Sequence, residues 1–115
     1  MRRFFPMLAC AAAVAACDPA WSVQGHVAGP GGLAVRGATA VLRCPGQADR
    51  TARTDLDGVF EIGGTGAGPS LQCTVKVTAP GFAPAWLRLD DGCDDEPEGS
   101  DRCVVAVLAA RLELR

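Results

Sequence analysis

Cysteine is the residue type in this sequence with the widest chemistry, and there are six cysteines in 115 residues. A cysteine thiol can form a disulfide, bind a metal ion or carry a lipid, and the redox state of the compartment decides between the first two. No two of the cysteines have the C-x-x-C spacing of zinc sites, and His26 is the one histidine. In an exported chain this pattern favours disulfides over zinc.

The N-terminus predicts export. Met1-Arg2-Arg3 is positively charged, and residues 4–16 form an apolar stretch of about 13 residues, too short for a helix that crosses a hydrocarbon core of about 30 Å. The stretch ends in Val14-Ala15-Ala16-Cys17, which resembles the lipobox of bacterial lipoproteins. In those proteins the cysteine takes a diacylglycerol and becomes the acylated first residue. The alternative is an ordinary secretory signal, but the apolar run stops at once with Asp18 and Pro19, which favours lipidation.

This interpretation divides the chain into three parts. Residues 1–16 are a signal peptide, residues 17–20 a short lipidated tether, and residues 21–115 one domain, near the common domain size. The lipid on Cys17 would anchor the protein to a membrane of the cell envelope, facing the periplasm or the cell exterior. A net charge of −2 with no basic run after Arg3 argues against nucleic acid as a partner.

Four cysteines remain in the domain, and the sequence alone allows three ways of pairing them. Cys44 and Cys73 both fall on the inward phase of predicted strands, which favours a buried bridge between them. Cys93 and Cys103 then pair by elimination and close an acidic loop. The first bridge should support the whole domain, and the second mainly its loop.

Acidic residues are concentrated in one segment of the chain. Within a dozen positions lie Asp90, Asp91, Asp94, Asp95, Glu96, Glu98 and Asp101. Carboxylates are the ligands that calcium prefers, so the first four are weak candidates for a cation site, and a solvated loop is the other interpretation. A second candidate, Asp55-Leu56-Asp57-Gly58, has the start of a calcium loop but no glutamate at the twelfth position. A hairpin turn is therefore favoured there.

The chain contains few residues of the types that commonly act in catalysis. The chain has one histidine, no tyrosine and three serines, and a Ser-His-Asp site would require His26, which is predicted to point outward from a strand. The residue inventory therefore predicts that the chain is not an enzyme and carries no cofactor.

Short apolar alternations broken by glycine and proline predict an all-β domain. Seven strands are predicted, at about residues 21–28, 38–44, 50–54, 59–62, 71–79, 83–89 and 103–114, with a brief extended piece at 33–36. The centre of the last strand is apolar on both phases, so it should be covered on both sides. Many short strands with frequent turns imply an antiparallel β-sandwich of the Ig-like type.

Four segments carry a family resemblance. They are Gly25-His26-Val27, Gly37-Ala38-Thr39-Ala40-Val41, Thr54-Asp55-Leu56-Asp57-Gly58-Val59-Phe60 and Thr78-Ala79-Pro80-Gly81-Phe82. In this order they resemble the motifs of the carboxypeptidase regulatory-like family, over about residues 22–90. The resemblance implies a transthyretin-like sandwich of seven strands. Its catalytic relatives, hydroxyisourate hydrolases and intradiol dioxygenases, use sets of histidines or tyrosines that this chain lacks.

These observations predict a membrane-tethered, non-catalytic module of the cell envelope. Its role would be to bind a protein or a glycan, or to act as a structural accessory. The alternative is a module that binds calcium or another cation through the acidic loop at residues 90–101.

Overall fold

The structure is a computed structural model that describes residues 20–97 and 99–115. In this part the chain forms eight strands joined by turns and two short 3₁₀ turns. The strands are β1 (Ala20–Ala28), β2 (Thr39–Arg43), β3 (Arg50–Arg53), β4 (Val59–Thr65), β5 (Thr74–Thr78), β6 (Ala85–Arg88), β7 (Cys93–Asp95) and β8 (Val105–Arg111). No helix in these residues is long and apolar enough to cross a membrane.

The strands form two four-stranded sheets, which confirms an all-β sandwich. The first sheet has the strand order β4-β1-β8-β7, and the second has the order β3-β2-β5-β6. All pairs are antiparallel except β1 and β8, which run parallel in the centre of the first sheet. The prediction of a purely antiparallel sandwich is therefore wrong, because the first and last strands pair with each other.

The strand count also differs from the seven predicted. The additional strand is β7, which lies in the segment that was expected to be a loop. It pairs with the start of β8, and its register shifts between Cys93 and Asp95. The partner strand supplies the hydrogen bonds here, so a charged segment with no apolar alternation still becomes the edge of the sheet.

The alternation of side chains along each strand determines the core. Val75 and Val77 of β5 are fully buried, and Phe60 and Ile62 of β4 are almost so, because successive side chains point to opposite faces of a sheet. Phe60 packs directly over Gly25 of β1, where a Cβ atom would overlap its ring. Gly25 therefore provides the space for Phe60, the largest fully buried side chain of the described residues.

The last strand is covered on one side only. Ala106, Leu108 and Ala110 are buried between the sheets, whereas Val107 is 42% exposed and Ala109 is also exposed. The outer side of this strand is therefore open to solvent at Val107 and Ala109, and the prediction that both sides of its centre are covered is wrong. Leu114, predicted in the inward phase, is 65% exposed because β8 ends at Arg111.

Candidate functional site

The cysteines of the domain form two disulfides, Cys44–Cys73 and Cys93–Cys103. This is the pairing that the strand phases predict. Cys44 and Cys73 adjoin the facing ends of β2 and β5, so they lie across from each other in the second sheet. Cys103 is only 1% exposed, and the second bridge therefore ends in the core rather than in a solvated loop. Cys17, the predicted lipidation site, lies outside the described residues.

The acidic candidates do not gather around one point. Asp90 and Asp91 lie in the 3₁₀ turn Leu89–Gly92, and Asp94 and Asp95 lie in β7. In the part of the chain that the structure describes, no three acidic, histidine or cysteine side chains are close enough to hold a metal ion. Asp90 instead forms an exposed ion pair with Arg88, with an N–O distance of 3.8 Å.

The second acidic candidate is a turn, but the predicted hairpin is wrong, because the strands that it joins, β3 and β4, lie in different sheets and do not pair with each other. The Oδ1 atom of Asp55 accepts hydrogen bonds from the backbone N–H groups of Asp57 and Val59, at 2.9 and 3.0 Å. Gly58 has a φ of +77°, a conformation that residues with a Cβ atom rarely adopt. The carboxylate of Asp55 therefore organises the backbone of the turn.

Charge is divided between the two sheets. The strands of the second sheet contain five basic residues and no acidic residue, namely Arg43, Arg50, Arg53, Lys76 and Arg88. The strands of the first sheet contain three acidic residues and one arginine, namely Glu61, Asp94, Asp95 and Arg111. A protein with a net negative charge thus presents one basic side.

The outer side chains of the second sheet form three rows across the strands. The central row runs Thr51, Val41, Lys76, Trp86, the second runs Arg43, Thr74, Arg88, and the third runs Arg53, Thr39, Thr78. Neighbouring strands are about 4.8 Å apart, and rows on one face are about 6.7 Å apart. We call these ten residues the basic face. It combines four cations, four threonine hydroxyls and one indole on a single sheet.

Trp86 lies in the edge strand β6, at the end of the central row of this face. Its side chain is 56% exposed. The guanidinium carbon of Arg43 lies 5.6 Å from the centroid of its ring, and the Nζ atom of Lys76 lies 5.1 Å away. These are cation–π distances, at which each contact contributes about 0.5–1 kcal/mol on an exposed surface. The indole therefore holds two positive charges next to each other despite their mutual repulsion.

Two carboxylates at the margin of the basic face offset part of its charge. Asp49 lies 3.4 Å from Arg43, and Asp90 lies 3.8 Å from Arg88. About half of each of these carboxylate side chains is exposed, and exposed pairs contribute little and weaken in salt. Arg53 and Lys76 form no ion pair with a described residue. The face therefore keeps donors for an anionic ligand.

The composition of the strands contains a signal for this face. Residues 39–43, 50–53, 74–78 and 85–88 each include a cation, and none includes an acid. The signal becomes visible only when these four segments are known to pair, because 47 positions separate Thr39 from Trp86.

His26 lies on the first sheet and is exposed, as predicted. Its Nε2 atom is 3.4 Å from the amide nitrogen of Gln24.

Two four-stranded sheets packed face to face define this chain as a β-sandwich domain. Solved structures with this fold include hydroxyquinol 1,2-dioxygenase from Pseudomonas putida DLL-E4, at 16% identity and a TM-score of 0.59 over 85% of this chain and 57% of that chain. A catechol 1,2-dioxygenase variant from Acinetobacter radioresistens matches at 13% identity and a TM-score of 0.59, over 90% of this chain and 54% of that chain. The Bacillus anthracis TIE protein matches at 16% identity and a TM-score of 0.55, over 84% of this chain and 17% of that chain.

The chain thus spans a little more than half the length of these two dioxygenases. At such low identities the likeness shows the fold alone. No family model matches the chain, and no curated protein matches it.

One prediction from the residue inventory must be corrected. The inventory predicts that the chain is not an enzyme, and the structural neighbours contradict this, because several of them are hydroxyquinol, catechol or chlorocatechol dioxygenases. The fold of this chain is one on which catalysis occurs, so its residue inventory does not exclude an enzyme. At identities of 12–16%, no iron ligand and no substrate of these enzymes can be assigned to this chain.

Proposed function

We propose that this chain is a lipoprotein of the cell envelope, anchored through Cys17, whose carboxypeptidase regulatory-like domain binds an acidic glycan through the basic face. The observation that carries the proposal is the division of charge between the sheets. Five basic residues and no acidic residue lie in the strands of the second sheet. A polymer with regularly spaced carboxylates or phosphates complements such a surface.

The shape of the face also supports a glycan. A sheet surface is broad and shallow, and the cations Arg43, Lys76 and Arg88 are spread over three neighbouring strands. Threonine hydroxyls between them can donate and accept hydrogen bonds with sugar hydroxyls. Trp86 adds an exposed ring against which a sugar can pack, and it holds Arg43 and Lys76 in place. The cation-binding alternative has no comparable support, since the described carboxylates do not converge.

The test is binding of the full-length, detergent-solubilised protein to polygalacturonate, with neutral dextran as the control polymer. Arg43→Glu combined with Arg88→Glu should weaken binding by at least about tenfold, because two contacts become repulsive. The matched control is Arg111→Glu combined with Arg115→Glu, which changes the net charge equally at two residues that are not part of the basic face and should retain binding. Binding of the wild-type protein should also weaken as salt is raised.

Two results would count against the proposal. Equal weakening in both double variants would show that net charge alone attracts the polymer. Equal binding of dextran and polygalacturonate would show that the carboxylates are not recognised. Vesicles of anionic phospholipid serve as a competitor, and binding to them in preference to polygalacturonate would also overturn the proposal.

A further inference from the structure

A cavity of about 210 Å³ opens at the end of the sandwich where β1 begins. Its walls come from both sheets and from the loops that follow β2, β4 and β7; among its lining residues are Trp21, Cys44, Arg50, Thr65, Pro69 and Arg102. Sites for drug-sized ligands have volumes of about 300–1,000 Å³. This cavity is therefore of a size for a smaller molecule, such as a single sugar.

Two guanidinium groups line this cavity. Arg50 is in the inward phase of β3, opposite Leu42, and its Nη1 atom donates a hydrogen bond to the carbonyl oxygen of Gly63 at 3.1 Å. The Nη1 atom of Arg102 donates to the carbonyl oxygen of Gly68 at 3.2 Å. A guanidinium has five N–H donors, so these bonds orient the two groups and leave donors for a ligand. A planar fork of donors suits a carboxylate or a phosphate.

The charge of the cavity wall is positive. No acidic residue is among its lining residues. Asp101 lies 3.8 Å from the Nε atom of Arg102, but 76% of that carboxylate side chain is exposed, so it weakly offsets one of the two cations. Asp49, next to Arg50 in the chain, pairs instead with Arg43.

A flat apolar ring lies beside one of these cations. The guanidinium carbon of Arg50 lies 5.2 Å from the centroid of the Trp21 ring, and the indole N–H donates to the carbonyl oxygen of Thr65 at 3.3 Å. Trp21 is 8% exposed, and its ring is fixed before a ligand arrives. Leu42 and Pro69 extend the apolar surface. A hydrogen-bonded guanidinium beside a buried ring is a partly preorganised arrangement for a compact anion.

We propose that this cavity binds a small acidic sugar, with its carboxylate or phosphate between Arg50 and Arg102 and its ring against Trp21. The site is distinct from the basic face, because Arg50 and Leu42 point between the sheets whereas the basic face points outward. It depends neither on the lipid anchor nor on polymer binding. An experiment can therefore confirm binding of a monosaccharide in the cavity while it disproves binding of a polymer by the basic face, or the reverse.

The experiment follows the fluorescence of Trp21 in the full-length protein carrying Trp86→Phe, so that one indole reports. Glucuronate should change the signal saturably, whereas glucose, which has the same ring without the carboxylate, should not. Inorganic phosphate should displace glucuronate. Arg50→Gln and Arg102→Gln should each raise the Kd by about tenfold, or about 1.4 kcal/mol, and the control Arg111→Gln, at an exposed position of the first sheet, should leave it unchanged.

Calorimetric titration of the same variants repeats the measurement without the indole, because Arg50→Gln alters the surroundings of Trp21 directly. Circular dichroism checks that each variant is folded, and Arg102→Gln tests the site independently of the Trp21 contact. The absence of saturable binding of glucuronate, equal responses to glucose and glucuronate, or equal weakening by Arg111→Gln would overturn the proposal.

Discussion

At the scale of single residues, Thr54 shows the structural role of one segment that carries the family resemblance, the segment that begins at Thr54 and ends at Phe60. It is the one buried polar residue of the described chain, at 6% exposure. Its Oγ1 atom accepts a hydrogen bond from the Ala38 N–H at 2.8 Å and donates to the Val35 carbonyl oxygen at 2.6 Å. One hydroxyl therefore joins the end of β3 to the segment that enters β2. Thr54, the first residue of this segment, therefore has a structural role.

Replacing this hydroxyl should be costly. Thr54→Val keeps the shape but leaves a buried N–H and a buried C=O without partners, so we expect a loss of about 1–3 kcal/mol in the free energy of unfolding. The control is Thr51→Val, in the adjoining strand β3 but exposed, which should change stability by less than about 0.5 kcal/mol. Urea denaturation measures both. Similar values for the two variants would show that the bridge of Thr54 is unimportant.

At the scale of elements, the two disulfides join different strands. Cys44–Cys73 links the ends of two paired strands of the second sheet and closes a separation of 29 residues. Cys93–Cys103 closes a separation of 10 and holds the edge strand β7 close to the residues that lead into β8. Since Cys103 is buried, the second bridge belongs to the sandwich, contrary to the expectation that it mainly restrains a loop.

Both bridges should therefore contribute to global stability, the first more than the second. Chain entropy alone gives about 3.5 kcal/mol for Cys44–Cys73 and about 2.7 kcal/mol for Cys93–Cys103. We expect urea midpoints to fall in that order in the two double-alanine variants, which avoid burying a serine hydroxyl. The mass spectrum of a non-reducing digest checks the pairing. An unchanged midpoint after removal of Cys93–Cys103 would restore the interpretation of that segment as an independent loop.

At the scale of the whole molecule, the predicted anchor determines how the domain would face the bilayer. Cys17 is three positions before Ala20, where β1 begins, and three residues span about 10 Å at most. A lipid on Cys17 would hold the end of the sandwich with the Trp21 cavity close to the headgroups. The basic face runs along the strands and would stand to the side, open to the envelope.

The anchor itself is tested by fractionation. Cys17→Ser should move the protein from the membrane pellet to the soluble fraction, because acyl chains contribute about 0.8 kcal/mol for each buried methylene and two chains hold where one is marginal. Cys10→Ser is the matched control, since Cys10 lies inside the predicted signal peptide. The protein with this substitution should remain in the membrane pellet. Retention of Cys17→Ser in the pellet after a high-salt wash would contradict lipidation.

The sequence by itself determined the features that depend on neighbouring residues. Alternation along residues 71–79 predicted that Cys73, Val75 and Val77 are buried, since the pleat sends successive side chains to opposite faces. The turn at residues 55–58 followed from the local hydrogen bonding of aspartate and the freedom of glycine. The same phases identified Cys44 and Cys73 as partners.

Only the tertiary structure decided which segments became neighbours. The parallel pairing of β1 with β8 joins the two ends of the domain, and nothing within either strand specifies the other. The basic face depends on the registers that place Lys76 beside Trp86 and Arg43 beside Thr74. The cavity brings Arg50 and Arg102 together from distant positions. Strand order is the outcome of burying all inward faces in one core, a property of the whole chain rather than of any single segment.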